Sequence, residues 1–559
     1  MPLLDLGRAA GGRYADGHGA RRGLSVGRGR QRLATIAIVG DTPAPHDRLH
    51  SLMVKALSRL AVLALVGTAC QRHQILIVNA QVIDGTGSPA RPAAVRIVDD
   101  KIAAVGALAP TSSDSVVDAH GLVLAPGFID DHSHHDGGLF QHPEALAAVS
   151  QGITTIVVGQ DGSSHLPLAA YFDSLERTPA AINVASYSGH GTIRRAVMGE
   201  DYKRLAKPDE ITRMQDLLRQ DMATGALGLS TGLEYDPGIY SNTDELVELA
   251  KVASASHGRY ISHMRNEEEG VFESVHELLT IGEQAHLPVE VSHMKLAMKE
   301  LWGQSTRLIA MLDSARTAGI QVTADIYPYT AWHSDLTVNF PKRDFNDTAY
   351  SRYVLREIVP ADGLILTSFA PHPDYVGQTL AQIALARKAD PAVTLLNLIH
   401  ESQQYADAHH LHVDDDAVQG VIGASMSEGD VDRIVQWPYT SFCTDGALDS
   451  RHPRGIGSYP RILGRFVREQ HVLTLQEAIR KATSLAAANV GIANRGTIAA
   501  GNYADLVLFD PATVLDRATY TEPHLVSTGI ERVWVNGQIV WANAQTTTNR
   551  PGRVVRRAH

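Results

Sequence analysis

The sequence predicts an α/β protein: a (β/α)8 barrel of the TIM type with a small β-sandwich domain built from both chain ends. Three observations predict it. Through the middle of the chain, eight apolar strand-like runs alternate with helical patterns. Each run ends in polar residues, as barrel strands do at the end where active sites form. The two chain ends share another texture, short β runs broken by turn clusters, as two pieces of one domain would.

Composition fits a large buried core and narrows the function. The chain has 559 residues, 44% hydrophobic and 20% charged, which excludes a disordered tail. Its formal charge of −11 argues against a nucleic-acid partner. Two Cys exclude a disulfide scaffold and a thiolate zinc knuckle. No apolar run is long enough to span a bilayer as a helix.

Residues 1–52 hold eight Arg and four Asp without Lys or Glu, and they show no periodicity. They read as upstream sequence ahead of the true start at Met53, or as a disordered leader. From Met53 the pattern is that of a secretory signal: Lys55 and Arg59, the apolar run Leu60–Val66, then Gly67-Thr68-Ala69-Cys70. Cys70 after small residues resembles a lipobox, which would make it a lipidated mature N-terminus and the protein an exported, periplasmic lipoprotein anchored only by that lipid. The other reading of 53–70 is a buried first helix. Next come the β runs Ile75–Asn79, Ala94–Val98, Ile102–Val105 and Leu122–Leu124; Ala504–Phe509, Val533–Val535 and Gln538–Trp541 match them at the other end, the last two joined at Asn536-Gly537. The β-sandwich is therefore assigned to 71–125 and 496–559, and the barrel to 126–495.

The barrel strand ends read as Phe128–His134, Thr154–Asp161, Val184–His190, Leu227–Thr231, Tyr260–Arg265, Val289–Lys295, Val322–Tyr329 and Ser441–Asp445. Helical patterns cover Ile211–Thr224, Thr243–Ser256, Gly270–His286 and Gln304–Ala318. The stretch before the eighth strand is too long for one βα loop, so 332–438 reads as an insertion.

The chemistry gathers at these strand ends. His132 and His134 stand at i and i+2, which on a strand point to one side. His263, His293 and Asp445 end the fifth, sixth and eighth strands. Four imidazoles and a carboxylate at one mouth suit Zn2+ or a similar divalent ion.

Pro126–Asp130 followed by His132 and His134 resembles the first-strand motif of the amidohydrolase superfamily. The chain is most similar to the D-aminoacylase (N-acyl-D-amino-acid deacylase) family, through GITTIVVGQDG at 152–162, GHGTIR at 189–194, GALGLSTGLEYDPG at 225–238, SHMRNE at 262–267, SHMK at 292–295, ADIYPYTA at 324–331 and HPRGIGSYPR at 452–461, over about residues 75–545. The resemblance implies a hydrolase of N-acyl-D-amino acids or related D-configured amides. His132, His134, His263 and His293 would bind one or two Zn2+ ions. Asp445 would serve as ligand and as general base and acid, Tyr327 would donate to the oxyanion, and Arg454, with Lys295, would grip the substrate's α-carboxylate. Without the family context, the alternative reading of Arg454 and Lys295 is a solvated surface charge.

Two departures from the family bear on this. Asp161 stands where the family usually has Cys; it is either a direct, harder metal ligand or a group orienting a His. Some superfamily members carry a carbamylated Lys at the end of the fourth strand; here, as the resemblance to D-aminoacylases implies, that place is Ser230, which disfavours a dihydroorotase or hydantoinase type of site. Cys443, two residues before Asp445, is an extra ligand or a small buried hydrophobe. His190, His333, His400, His409 and His410 carry no assigned role, although His190 ends a strand within a matching motif. The alternatives to a deacylase are a dipeptidase or another amide hydrolase on this scaffold, or a binding lipoprotein without catalysis.

Overall fold

The computed structural model describes residues 73–413 and 417–558. The leader 1–52, the signal-like segment 53–70 and Cys70 lie outside the described residues. Among the described residues no helix is long and apolar enough to cross a membrane.

The barrel strands are β1 (Phe128–Asp130), β2 (Ile153–Val158), β3 (Asn183–Ser186), β4 (Gly228–Gly232), β5 (Arg259–His263), β6 (Val289–Val291), β7 (Val322–Ile326) and β8 (Thr440–Phe442). All their pairings are parallel, in two arcs: β1-β2-β3, and β4 to β8 with the short strand Ser188–Gly189 beside β4. Backbone and side-chain bonds close the seams. Leu227 N–H donates to Ser186 O at 2.9 Å between β3 and β4. Between β8 and β1, Asp445 N–H donates to His132 O at 2.9 Å, and buried Asp130 accepts both the N–H and the hydroxyl of Thr444 (2.7 and 2.6 Å).

Helices Pro208–Thr224, Thr243–Ala255, Val271–Ala285 and Ser305–Thr317 surround the strands. The first shows the logic: Met214, Leu218 and Met222, spaced by four, face the barrel, and Gly225 (φ 108) ends the helix in a left-handed cap.

Both chain ends contribute to one mixed sheet. Its central pairing sets Val123–Pro126, which leads into β1, antiparallel to Leu506–Phe509. Alternation along these strands divides their side chains between two cores. Leu124, Leu506, Leu508 and Trp534 pack inside the β domain with Ile75, Ile77 and Val95. Val123, Val507, Phe509 and Val533 face the other way into the barrel core, where Phe509 lies 6.5 Å from Phe128 between ring centroids. The tail runs differently from the assignment of 496–559: Val554 bridges Val184 and Arg557 N–H donates to Gly225 O, so the last residues lie along the N-terminal ends of the barrel strands.

The stretch between β7 and β8 holds a three-stranded antiparallel sheet (Ala331–Ser334, Gln419–Ala424, Leu364–Phe369) and helices Thr348–Tyr353, Leu380–Arg387 and Pro391–His409, around a core of its own that includes Trp332, Leu366, Phe369 and Ile399. Helix Glu428–Gln436 is not part of that unit. It buries Val431, Ile434 and Val435 in the barrel core, taking the place of a barrel helix before β8.

Phe509 joins the sheet to the barrel core, so Phe509→Ala is expected to cost about 3–5 kcal/mol in denaturant unfolding. A loss under about 1 kcal/mol, the range of tolerant sites, would show that the two do not share a core.

Candidate active site

The backbone leaves the ladders just where the polar residues begin. Asp161, His293 and Asp445 follow β2, β6 and β8 by a few residues, each with a left-handed φ (51°, 33° and 47°). Such a conformation costs about 1–3 kcal/mol for a non-glycine residue and persists where its surroundings enforce it. His132 and His134 also lie beyond the end of β1, so their convergence does not come from strand alternation, and the left-handed turn at Asp445 takes it out of the strand that precedes Cys443.

Asp161 sits at the centre. Its Oδ1 lies 3.4 Å from His132 Nε2 and 3.5 Å from His293 Nε2, and its Oδ2 lies 3.3 Å from His134 Nε2. Asp445 Oδ1 stands 3.7 Å from His132 Nε2 and 3.4 Å from His134 Nε2. His263 Nδ1 faces His293 Nε2 at 3.1 Å. Most of these separations exceed a good hydrogen bond of about 2.7–3.2 Å. They match the spacing of roughly 3.3–3.6 Å between neighbouring donors on one tetrahedral ion with bonds of about 2.0–2.2 Å. Buried His132 Nε2 and Asp161 Oδ1 have no hydrogen-bond partner. Donor atoms of His132, Asp161, His293 and Asp445 all lie within 4.8 Å of one another, as do those of His263, Glu267 and His293, so the donors fit a divalent ion in each group, with His293 common to both and His134 beside the first.

The electrostatics agree. Burial opposes charging His134, but Asp161 and Asp445 outweigh it and push its pKa up to about 10. Burial would likewise keep Asp161 and Asp445 neutral; His132 and His293 around the first, and Arg454 and His293 beside the second, hold both carboxyls well below their ordinary range. A field that strongly favours cations is what a metal ion satisfies.

Behind three of the imidazoles stands a carboxylate on the other ring nitrogen. Asp325 Oδ2 lies 3.6 Å from His132 Nδ1, Glu234 Oε2 lies 3.0 Å from His263 Nε2, and Glu267 Oε1 lies 3.1 Å from His293 Nδ1. Glu234 and Glu267 stand at hydrogen-bond distance, fixing their rings and directing the free nitrogen to a metal, whereas Asp325 Oδ2 makes no hydrogen bond to His132 and Asp325 Oδ1 accepts the His293 N–H at 2.7 Å. Sequence reasoning assigned these three acids no role, although each lies in a quoted motif and Glu267 falls four residues after His263.

Ser230 anchors the Asp161 loop: its hydroxyl donates to Gly159 O (2.6 Å) and accepts from Gly162 N–H (3.3 Å). Gly232 lets that loop approach, since a Cβ there would stand 2.2 Å from Asp161 O. Lys295 is bound by both Glu267 oxygens (2.7 and 2.6 Å) and lies 2.7 Å from His293 Nδ1, so it supports a ligand His as well as lining the cleft. Arg454 Nη1 pairs with Asp445 Oδ2 at 2.7 Å, and its guanidinium lies over the Tyr327 ring. Burial pushes the Tyr327 phenol up, so it stays a donor. Cys443 is buried in the barrel core, and burial first, then Asp325, pushes its thiol up. His190 is held by Glu245 at 2.8 Å beneath the cleft floor. His400 is half-buried and His409 and His410 are exposed on the insertion, whereas His333 lines the cleft.

The amidohydrolase family profile matches residues 115–390 and 437–541. D-aminoacylase of Alcaligenes xylosoxydans xylosoxydans is 35% identical over 87% of this chain and 98% of its own length. N-acyl-D-glutamate deacylase from the same organism is 37% identical over 87% and 97%. The solved N-acyl-D-glutamate deacylase of Bordetella bronchiseptica, in complex with zinc and a phosphonate mimic of the tetrahedral intermediate, superposes with a TM-score of 0.77 at 37% identity, covering 86% of this chain and 99% of that one.

Removing a carboxylate behind a ligand should weaken the metal. Glu234→Gln is expected to lower divalent-metal affinity about 10–100-fold in a chelator competition titration; unchanged affinity would mean that Glu234 does not orient His263.

Proposed function

Because the chain belongs to the amidohydrolase family, on its N-acyl-D-amino-acid deacylase branch, we propose that it hydrolyses the amide bond of small N-acyl-D-amino acids at a centre held by His132, His134, Asp161, His263, His293 and Asp445. The observation that carries this reading is the single carboxylate of Asp161 facing His132, His134 and His293 at 3.3–3.5 Å. Imidazole and carboxylate donors of this kind suit zinc, and these residues would hold one or two ions. When bound, a divalent ion supplies a water of lowered pKa and polarises the amide carbonyl.

The remaining steps belong to the chain. Asp445 keeps one oxygen toward His132 and His134 and the other on Arg454. It is placed to take the proton of the attacking water and return it to the leaving amine. Tyr327, a buried neutral phenol beside Arg454, donates to the developing oxyanion. Arg454 takes the α-carboxylate: it is buried, and its Nε has no hydrogen-bond partner. A substrate carboxylate competes with Asp445 for that guanidinium, so binding relieves Asp445 of the cation that suppresses its basicity. The signal-like segment 53–70 supports export, with Cys70 as the site of lipid attachment.

With N-acetyl-D- and N-acetyl-L-amino acids as substrates for the metal-reconstituted protein, Asp445→Asn should lower kcat by about 10²–10⁴ while bound metal stays near the wild-type content. Unchanged turnover in that variant would contradict the assignment of Asp445. Arg454→Met should act mainly through KM, raising it by about tenfold or more, as loss of a charge-assisted carboxylate contact requires; an unchanged KM would place the α-carboxylate elsewhere.

A further inference from the structure

The cleft above the site has a volume of about 940 Å3, and one wall comes from the sheet inserted between β7 and β8. That wall presents His333, Ser334 and Asp335 from one strand and the turn after it, and Thr367 and Ser368 from another. His333 Nε2 lies 2.9 Å from Thr367 Oγ1. The strand between them carries Gly420 at this point, where a Cβ would come within 2.6 Å of Thr367 Oγ1 and 3.4 Å of His333 Nε2, so the pair meets across a residue that has no side chain.

Charge on this wall is one-sided. Burial and the Arg454 guanidinium keep the His333 imidazole neutral, its pKa pushed down to about 3. Asp335 is a buried carboxylate whose Oδ1 accepts the N–H and hydroxyl of Thr337. Of the cleft's cations only Arg454 adjoins this wall, and it is paired with Asp445; Lys295 lies on Glu267, Arg195 beside His412 and the Asp236 carbonyl, and Arg451 is exposed at the rim.

His333 is also adjacent to the carboxylate grip, since its carbonyl oxygen lies 3.5 Å from Arg454 Nη2. In an N-acyl amino acid the carboxylate and the side chain branch from one carbon. If Arg454 holds the first, the second reaches the neighbouring wall. We propose that His333, Thr367 and Ser368 form the subsite for the amino-acid side chain and that it selects an uncharged hydrogen-bonding group, a carboxamide above all. This rests on the deacylase reading and deepens it.

The donor and acceptor inventory supports the choice. A neutral imidazole bonded to a threonine hydroxyl leaves the pair with both donor and acceptor capacity toward the cleft, whichever of the two gives the shared proton. A carboxamide matches both. A carboxylate brings acceptors only and meets Asp335. A thioether leaves the wall unpaired, and a site built to bond a polar group discriminates against an analogue that lacks it.

N-acetyl-D-glutamine, -D-glutamate and -D-methionine are close in size and differ in this chemistry, with N-acetyl-D-lysine added for the opposite charge. For the metal-loaded full chain, kcat/KM is expected to be at least about tenfold higher for glutamine than for each of the others. Thr367→Val, a near-isosteric change, and His333→Ala should both bring the glutamine-to-methionine ratio toward one. Wild-type preference for glutamate, methionine or lysine, or a ratio unchanged in Thr367→Val, would overturn the subsite and leave the deacylase reading standing. No turnover of any N-acyl-D-amino acid would overturn that reading, and the subsite with it.

Discussion

Asp161 is the constraint on which the rest depends. One largely buried carboxylate must stand between three imidazoles from two strand ends at distances suited to a shared ion, without the groups collapsing into ordinary hydrogen bonds. Three of the converging residues adopt left-handed backbone conformations to get there. Ser230 and Gly232 on β4 hold the Asp161 loop, Glu234 and Glu267 brace the rings of His263 and His293, Asp325 holds the His293 backbone, and Asp130 ties Thr444 so that Asp445 closes the circle. The cost of gathering so much polar surface is offset by the apolar packing around it, from the barrel helices and from the terminal sheet through Phe509.

The carboxylate at position 161 also bears on metal choice. A thiolate favours softer ions, whereas Asp161 offers two hard oxygens, one toward His132 and His293 and the other toward His134. Ser230 serves as the anchor of the Asp161 loop.

Much of this was legible in the sequence because periodicity and residue chemistry are local properties. The helices from Pro208 to Thr317 and the paired chain ends follow from alternation, spacing and turn residues. The ligand histidines were legible as polar residues closing apolar runs. The strand limits were not: β1, β6 and β8 stop before their ligands, because the left-handed turns at His293 and Asp445, and the departure of His132 and His134 from β1, take those residues out of the ladder. The braces Glu234, Glu267 and Asp325 were not recognised, since an acid becomes a histidine's partner only through loops and strands meeting in three dimensions. Helix Glu428–Gln436 was merged with the insertion because its apolar face does not say which core it joins.

The most direct test of the central claim is anomalous diffraction on both sides of the zinc edge, from crystals of the zinc-reconstituted protein. The account expects a peak within about 2.0–2.3 Å of an Asp161 oxygen and of imidazole nitrogens from His132 and His134 or from His263 and His293. Absence of a peak there, or zinc bound only elsewhere, would contradict it.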